Sequence, residues 1–407
     1  MNHAFQKKNP DFHSYGSTKP IILTFIGNFL PGYKAGGILR SMVNVIDHLS
    51  NDFTFMIVTT DRDLGDDKPY PNVKLNQWQS VGRVMVYYIP PKSHTIKNIL
   101  KLIEQTNHDI VYLNSFFDQF TIKVLSIRKY RKLQFKPLII APRGEFAQAS
   151  LRLKYPKKFI FIQLVKLFGL YDNLTWHASS EFEKADIIRV MRVGDRIIHT
   201  ALDLPTKSIS SDSNPLALNS KLNDVGLKII FLSRISREKN LNYALNILSK
   251  VKAKVSFDIY GPKEDLKYWN ECEKLISMLP TNIDVKYLGI VNPNNVIQVF
   301  NSYDLFLFPS GGENYGHVIA EALTSGIPVL TSDKTPWRNL NEKNFGWDIS
   351  LNDMGLFIEV IEKYSSLNIE KRLQKRDLIL SNISKYLLDP EILNENKHLF
   401  YKTISNK

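Results

Sequence analysis

The sequence predicts an α/β protein of two doubly wound domains that face each other across a cleft. The first observation is a series of apolar, β-branched runs: "PIILTFIG", "TFMIVTT", "RVMVYYI", "DIVYL", "PLIIA", "KIIFL", "VSFDIY", "VKYL", "DLFLF" and "IPVLT". Most are continuous rather than alternating, as strands of a parallel sheet covered on both faces must be, and helix-like stretches separate many of them. The second is their number: ten runs are too many for one compact sheet, and 407 residues are enough for two cores. The third is "TKSISSDSNPLALNSKLNDVG", residues 206–226, which is rich in Ser, Asn, Asp and Pro and has neither helical nor strand period. The chain therefore divides into a first domain at 1–205, a linker at 206–221, a second domain at 222–385 and a helical tail at 386–407 that can pack back across the first domain.

Composition narrows the function. Hydrophobic residues at 43% and charged residues at 23% fit a globular protein. The single cysteine, Cys272, excludes an internal disulfide and any multi-cysteine metal site. It sits in the helix-like "YWNECEKLI" and reads as a buried small residue of a protein kept in a reducing compartment. The start, "MNHAFQKKNPDFHSYGSTKP", lacks the apolar centre of a secretory leader, and no window holds the roughly 18 apolar residues of a spanning helix. A cytosolic protein is expected. The net charge of +13 is concentrated: residues 1–205 carry 28 Lys and Arg against 17 Asp and Glu, and residues 206–407 carry 25 against 23. Residues 121–166 alone hold 12 basic groups against one acid, Glu145.

In chain order, the first strand runs into "TFIGNFLPGYKAGGILRSMVNVIDHL", where Gly27, Gly32, Gly36 and Gly37 permit close backbone approach before an amphipathic helix. Ligands of open α/β sheets lie beyond the carboxyl ends of the strands, and a helix start there attracts phosphate. The spacing fits neither G-x-G-x-x-G nor the Walker lysine pattern, which argues against a dinucleotide dehydrogenase or a P-loop enzyme. Taken alone, the loop is as readily a tight turn. "TTDRDLGDD" holds Asp61-Arg62-Asp63, which imitates a metal-binding Asp-x-Asp but lacks any supporting pattern and reads as a polar loop. "APRGEFAQASLRLKYPKKFIFIQLVKLFGLY" places Arg143, Gly144 and Glu145 after a strand. Its residues 157–170 form a basic, broadly apolar helix suited either to an anionic membrane surface or to lining the cleft.

The second domain opens with "IIFLSRISREKNLNYALNIL". Arg234 and Lys239, in the loop between strand and helix, can neutralise a diphosphate without a metal, Arg by its planar fork and Lys as a point charge. A solvated basic loop is the plainer alternative. In "DLFLFPSGGENYGHVIAEALTSGIPVL" a buried strand ends at Pro309, Glu313 falls in a glycine turn, and Glu321 lies inside a helix that stops at Gly326. A carboxylate within apolar "VIAEAL" needs a partner or a ligand. A cap plus a buried hydrogen bond would also account for the pair.

These features, in this order across two domains, resemble the retaining glycosyltransferases of the GT-B fold, family 4 or group 1, which are built from two Rossmann-like domains. The resemblance covers nearly the whole chain. It rests first on "ENYGHVIAE", preceded by "FPS" and followed by "EALTSGIPVLTS", and then on "SRISREKN", in which Asn240 stands where a glycine is common. It implies that Glu313 contacts the donor sugar and Glu321 the ribose, while Arg234 and Lys239 hold the leaving diphosphate. Asn314, Tyr315, Gly316 and His317 at the helix start, with Gly36 and Gly37 from the other domain, would complete the donor site. Tyr260 and Gly261, in "VSFDIYGP", fall where the family holds the nucleotide base. Many members carry a histidine where this chain has Asn114, so a proton-relay role there is lost. His177, beside Trp176, is the substitute, with a structural role as the plainer reading. Arg143 and Glu145 are expected on the acceptor side.

The expected activity is transfer of a sugar, with retention, from a UDP- or GDP-linked donor to a saccharide or polyprenyl-linked saccharide, in capsule, O-antigen or exopolysaccharide synthesis. Neither metal nor other cofactor is expected. The basic stretch 121–166 suggests peripheral attachment to the inner face of the cytoplasmic membrane. Two rivals stand beside this reading: a GT-B nucleotide-sugar epimerase or hydrolase, which needs no acceptor, and a basic nucleic-acid-binding protein. For the second, the expected footprint of aromatics spaced among Lys and Arg on an OB- or RRM-like pattern is missing, and no nucleic-acid partner is expected.

Overall fold

The computed structural model describes residues 19–130, 136–152, 155–207, 226–387 and 389–405. One sheet holds β1 (Ile21–Phe25), β2 (Thr54–Thr60), β3 (Trp78–Val81), β4 (Val84–Ile89), β5 (Ile110–Asn114), β6 (Leu138–Ala141), β7 (Thr175–Ala178) and β8 (Ile198–Thr200). Their order is β3-β4-β2-β1-β5-β6-β7-β8, parallel except where β3 pairs antiparallel with β4. The second sheet holds β9 (Leu227–Leu232), β10 (Val255–Tyr260), β11 (Ile283–Gly289), β12 (Leu305–Phe308), β13 (Val329–Ser332) and β14 (Gly346–Ile349). Its order is β11-β10-β9-β12-β13-β14, parallel throughout. All ten apolar runs are strands. From residue 208 onward, the expected linker lies outside the described residues.

Helices cover both faces of each sheet, so neighbouring strand residues enter different cores. In β1, Ile22 joins a cluster with Val86, Tyr88 and Tyr112, whereas Leu23 joins one with Val111, Leu113 and Trp176. Every residue of β12 is fully buried, which is why "LFLF" is continuously apolar.

Strand order also fixes where ligands go. In the first sheet the chain moves outward from β1 to β2 and then returns to β5 on the other side; in the second, β9 is flanked by β10 and β12 in the same way. Such reversals open a crevice between the loops that follow the strands. The glycine loop after β1, the Arg234–Lys239 loop after β9 and the Glu313 loop after β12 all emerge at these two crevices.

The chain closes by crossing back. Helix Ile369–Leu387 stays on the second domain, where buried Arg376 reaches the carbonyls of Ser325 and Tyr303. Helix Pro390–Ser405 packs on the first: Phe400 lies 5.3 Å from Phe53, 6.1 Å from Phe55 and 5.4 Å from Tyr112, between ring centres. Asn396 donates to the Leu202 carbonyl at 2.8 Å. Among the described residues, no helix is long and apolar enough to cross a membrane.

Candidate active site

On the second domain, three loops are tied into one platform. Ser233 donates its N–H to the Tyr260 carbonyl at 3.1 Å, and Gly311 donates to the Glu238 carbonyl at 2.7 Å. Gly261 makes the first contact possible: its φ is +132°, and a Cβ there would lie 1.8 Å from the Ser233 carbonyl oxygen. The Tyr260 hydroxyl is 3.0 Å from that of Tyr303, which in turn donates to Asp258 at 2.7 Å.

The charged groups on this platform have counterions. Lys239 Nζ donates to Glu313 Oε1 at 2.7 Å, with both side chains about nine-tenths buried, at 10% and 12% exposure. Ser310 donates to the same oxygen at 2.9 Å. Arg234 reaches Glu264 at 2.8 Å, an exposed pair of little intrinsic strength. Asn240, in the left-handed region at φ +57°, turns the chain from the Lys239 loop into helix Leu241–Leu248. An asparagine tolerates that conformation where glycine would be ordinary.

After β12, Gly316 at φ +80° turns the chain into helix His317–Thr324 and offers no side-chain cap. Trp337 fixes this turn by donating to the Tyr315 carbonyl at 2.6 Å. The first N–H groups of the helix are left to meet an anion. One turn further in, burial pushes the Glu321 carboxyl above its ordinary value and Arg40 pulls it back, its Nη2 standing 3.1 Å from Glu321 Oε1.

Arg40 belongs to the first-domain helix Gly37–Leu49, so this pair spans the cleft. Its neighbour Ser41 donates to Asp203 Oδ2 at 2.7 Å and lies 2.8 Å from His317 Nε2. Since the hydroxyl proton goes to the carboxylate, His317 must donate from Nε2 to the Ser41 oxygen. Burial draws the His317 pKa down to about 4, so the ring is neutral at pH 7. A Cβ on Gly37 would sit 3.9 Å from the same ring, and Gly36 has φ +64° with open space around it. Gly144, at φ +79°, fits against Asn314 with 2.9 Å between a would-be Cβ and the Asn314 Cβ.

Four residues expected on the acceptor side are committed elsewhere. Buried Arg143 bonds Asp203 at 2.7 Å, Asn114 Oδ1 at 3.0 Å and the Tyr112 hydroxyl at 2.7 Å. Tyr112 donates to His177 Nδ1 at 2.7 Å, and His177 Nε2 donates to the Ala201 carbonyl at 2.8 Å. Arg143, Asn114 and His177 thus form one buried chain under the cleft rather than its wall, because an enclosed guanidinium needs partners on every side. His177 is no substitute proton relay. Glu145 accepts from Ser115 Oγ at 2.7 Å and from the N–H groups of Phe116 and Phe117, so it caps the loop after β5.

What sequence reasoning missed is what meets across loops. Asp118 Oδ2 lies 2.7 Å from the Cβ position of Gly27, so that glycine admits the carboxylate to the first-domain crevice. Burial pushes Asp118 up to about 6 and Glu145 up to about 7. Asp63 accepts from the Tyr33 and Lys34 N–H groups at 2.8 and 3.1 Å, and Asp61 pairs with Arg62; the Asp-x-Asp segment braces the glycine loop.

Beside the β5 loop runs helix Tyr155–Leu167. Phe161 is 5.6 Å from Phe117, and Lys158 lies over the Phe117 ring at 5.2 Å. Tyr155, Phe159, Ile160, Leu164, Leu167 and Phe168 are exposed, Leu167 to 78%. Lys154 lies outside the described residues.

Comparison with known proteins extends this geometry. The family model described as glycosyl transferases group 1 matches residues 218–377. An uncharacterized 41.2 kDa protein in the cps region of Klebsiella pneumoniae is 20% identical over 270 residues, 66% of this chain and 72% of its own length. The O-antigen biosynthesis glycosyltransferase WbnH of Escherichia coli is 29% identical over 180 residues, 43% of this chain and 46% of that one. Among solved structures, HepE of Anabaena in complex with UDP and glucose matches with a TM-score of 0.67 at 15% identity, over 95% of this chain and 100% of that one. The second domain thus matches the group 1 glycosyl transferase model over residues 218–377, and the two domains together have the GT-B fold.

Proposed function

We propose that the protein transfers a glycosyl group from a nucleoside-diphosphate sugar, with retention of configuration, to a lipid-linked saccharide during cell-surface polysaccharide synthesis. The observation that carries this reading is that the loop after β9, which holds Arg234 and Lys239, is tied to the loop after β12 by Lys239–Glu313 and by Gly311 on the Glu238 carbonyl, directly before the uncapped start of helix His317–Thr324 that carries Glu321. The donor lies over that helix start, with its sugar toward Glu313 and its ribose toward Glu321. Arg234, Lys239 and the helix N–H groups stabilise the diphosphate as the glycosidic bond breaks, so protein cations perform what a metal does elsewhere. The acceptor hydroxyl attacks from the face the diphosphate leaves, and a phosphate oxygen takes its proton.

The acceptor enters from the first domain, past Asp118. The exposed apolar side chains of helix Tyr155–Leu167, with Lys157 beside them, suit an anionic bilayer at its cytoplasmic face, where a polyprenyl-diphosphate saccharide is found. The relatives in a cps region and in O-antigen synthesis support the polysaccharide role, and UDP with glucose on HepE supports the donor class.

A thermal-shift panel of UDP- and GDP-sugars tests the donor site: at least one should stabilise the wild type, and Glu321→Ala should lose most of that shift. A panel without a hit, or a variant that keeps the full shift, overturns the site. Liposome flotation tests the surface. Binding to anionic vesicles should fall for Lys157→Glu combined with Leu167→Glu; equal flotation of the variant counts against membrane docking.

A further inference from the structure

The Arg40–Glu321 pair has an asymmetry. A guanidinium carries five N–H groups, and the approach of Arg40 to Glu321 is from Nη2 to Oε1, at 3.1 Å. Among the described residues, its remaining side-chain N–H groups have no hydrogen-bond partner. The Glu321 carboxylate has no other ion-pair partner among them, and it is largely enclosed, at 15% exposure. A buried carboxylate of that kind is stabilised further by any ligand that brings hydroxyl donors.

Arg40 stands where two helix starts meet. The first turn of helix Gly37–Leu49 abuts the first turn of helix His317–Thr324: Gly37 faces the His317 ring, and Ser41 is 2.8 Å from His317 Nε2. The Arg40 charge is felt at the His317 ring, whose pKa it helps to lower. On the second domain, Lys239 pairs with Glu313 in the loop that leads into the same helix. Arg40 stands on the opposite wall, on an element that belongs to the other domain.

We propose that Arg40 is a phosphate-binding residue supplied by the first domain, held on Glu321 until the ribose of the donor takes that carboxylate. This rests on the donor site proposed above. Two ribose hydroxyls replace the guanidinium as partners of Glu321, and the planar fork of Arg40 turns onto the adjacent phosphate, where two parallel N–H bonds are available. The diphosphate then joins the domains, with Arg234 and Lys239 on one side and Arg40 on the other. Donor occupancy and closure of the cleft become one event.

Isothermal titration of the full-length protein with UDP and GDP, and with uridine and guanosine, tests this. Arg40→Ala should weaken the preferred diphosphate at least about tenfold, the loss of one charge-assisted hydrogen bond, and leave the matching nucleoside unchanged or tighter. Arg40→Lys should recover part of the loss, and the melting temperature of each ligand-free variant establishes that it is folded. If Arg40→Ala binds diphosphate as well as or better than wild type, Arg40 is only a counterion that competes with ribose, and the proposal fails. Equal losses for diphosphate and nucleoside would also overturn it, since Arg40 would then act only by holding Glu321 in place. Should the wild type bind neither diphosphate, the donor site itself falls, a result distinguishable from failure at Arg40 alone.

Discussion

Arg143 and Lys239 are both enclosed cations in ion pairs, but their surroundings assign them different work. Arg143 has partners on every side inside the first domain, at Asp203, Asn114 and Tyr112. Removing it strands a buried carboxylate, so Arg143→Ala should cost about 3–5 kcal/mol in urea unfolding. Lys239 meets Glu313 at a crevice, where a diphosphate and a sugar would compete for the two charges. Lys239→Ala should therefore reduce transfer by at least about 100-fold, in line with loss of one preorganised donor to the leaving group, while the melting temperature moves little. The buried histidines add a pH dependence. Burial, followed by the nearby Arg143 charge, draws His177 from 6.5 down to about 4. Between those values the unfolded chain binds a proton that the folded chain refuses, so stability falls as pH drops from 6.5 toward 4, by up to about 1.4 kcal/mol per pH unit for that group. Glu145 acts in the opposite sense, since its raised pKa of about 7 lets the folded form keep a proton that the unfolded form gives up above 4.5. Comparing urea midpoints at pH 7.5 and 5.0 for wild type and His177→Gln isolates the histidine: the variant should lose less on acidification.

At the scale of elements, the legible parts are those whose burial writes itself into local composition. The ten apolar runs are strands because both their faces are covered. β7, "TWHA", escapes notice because His177 is a polar residue whose partners, Tyr112 and Ala201, lie 65 and 24 residues away. β8 has three residues, and β14, "GWDI", follows a polar turn, so neither leaves an apolar signature. The loops after β9 and β12 were legible for another reason: two cations and two acids at strand ends are chemically conspicuous. Arg40, Ser41 and Asp203 were not, since each reads as the polar face of a helix or the end of a domain until the fold brings them to His317. Helix Pro390–Ser405 is an integral part of the first core, and Phe400→Ala should lower first-domain stability by about 3–5 kcal/mol, with exchange protection lost first in β2 and β5.

For the whole molecule, the seam between the domains is the working part. Gly144 meets Asn314 across it, at a backbone angle that favours glycine and a distance that leaves no room for a methyl group. Gly144→Ala should hold the cleft slightly open. Since an error near 1 Å in placing reactants can cost up to about 100-fold in rate, kcat should fall by that order while the affinity for the matching nucleoside, whose proposed contacts lie on the second domain, stays close to wild type. Equal loss in both would mean that the seam shapes the donor site rather than aligning the two substrates.

The crossing of helix Pro390–Ser405 onto Phe53, Phe55 and Tyr112 sets an order on the ribosome. The segment made first reaches its full core only when residues made nearly 350 positions later emerge, as the separation of Phe53 and Phe400 requires. The second domain has all its strands in hand well before then. The usual vectorial sequence, in which the amino-terminal unit finishes first, therefore lacks its last piece here: helix Gly37–Leu49 is on hand early to cover part of that face, and the patch around Phe53, Phe55 and Tyr112 closes only when Phe400 arrives.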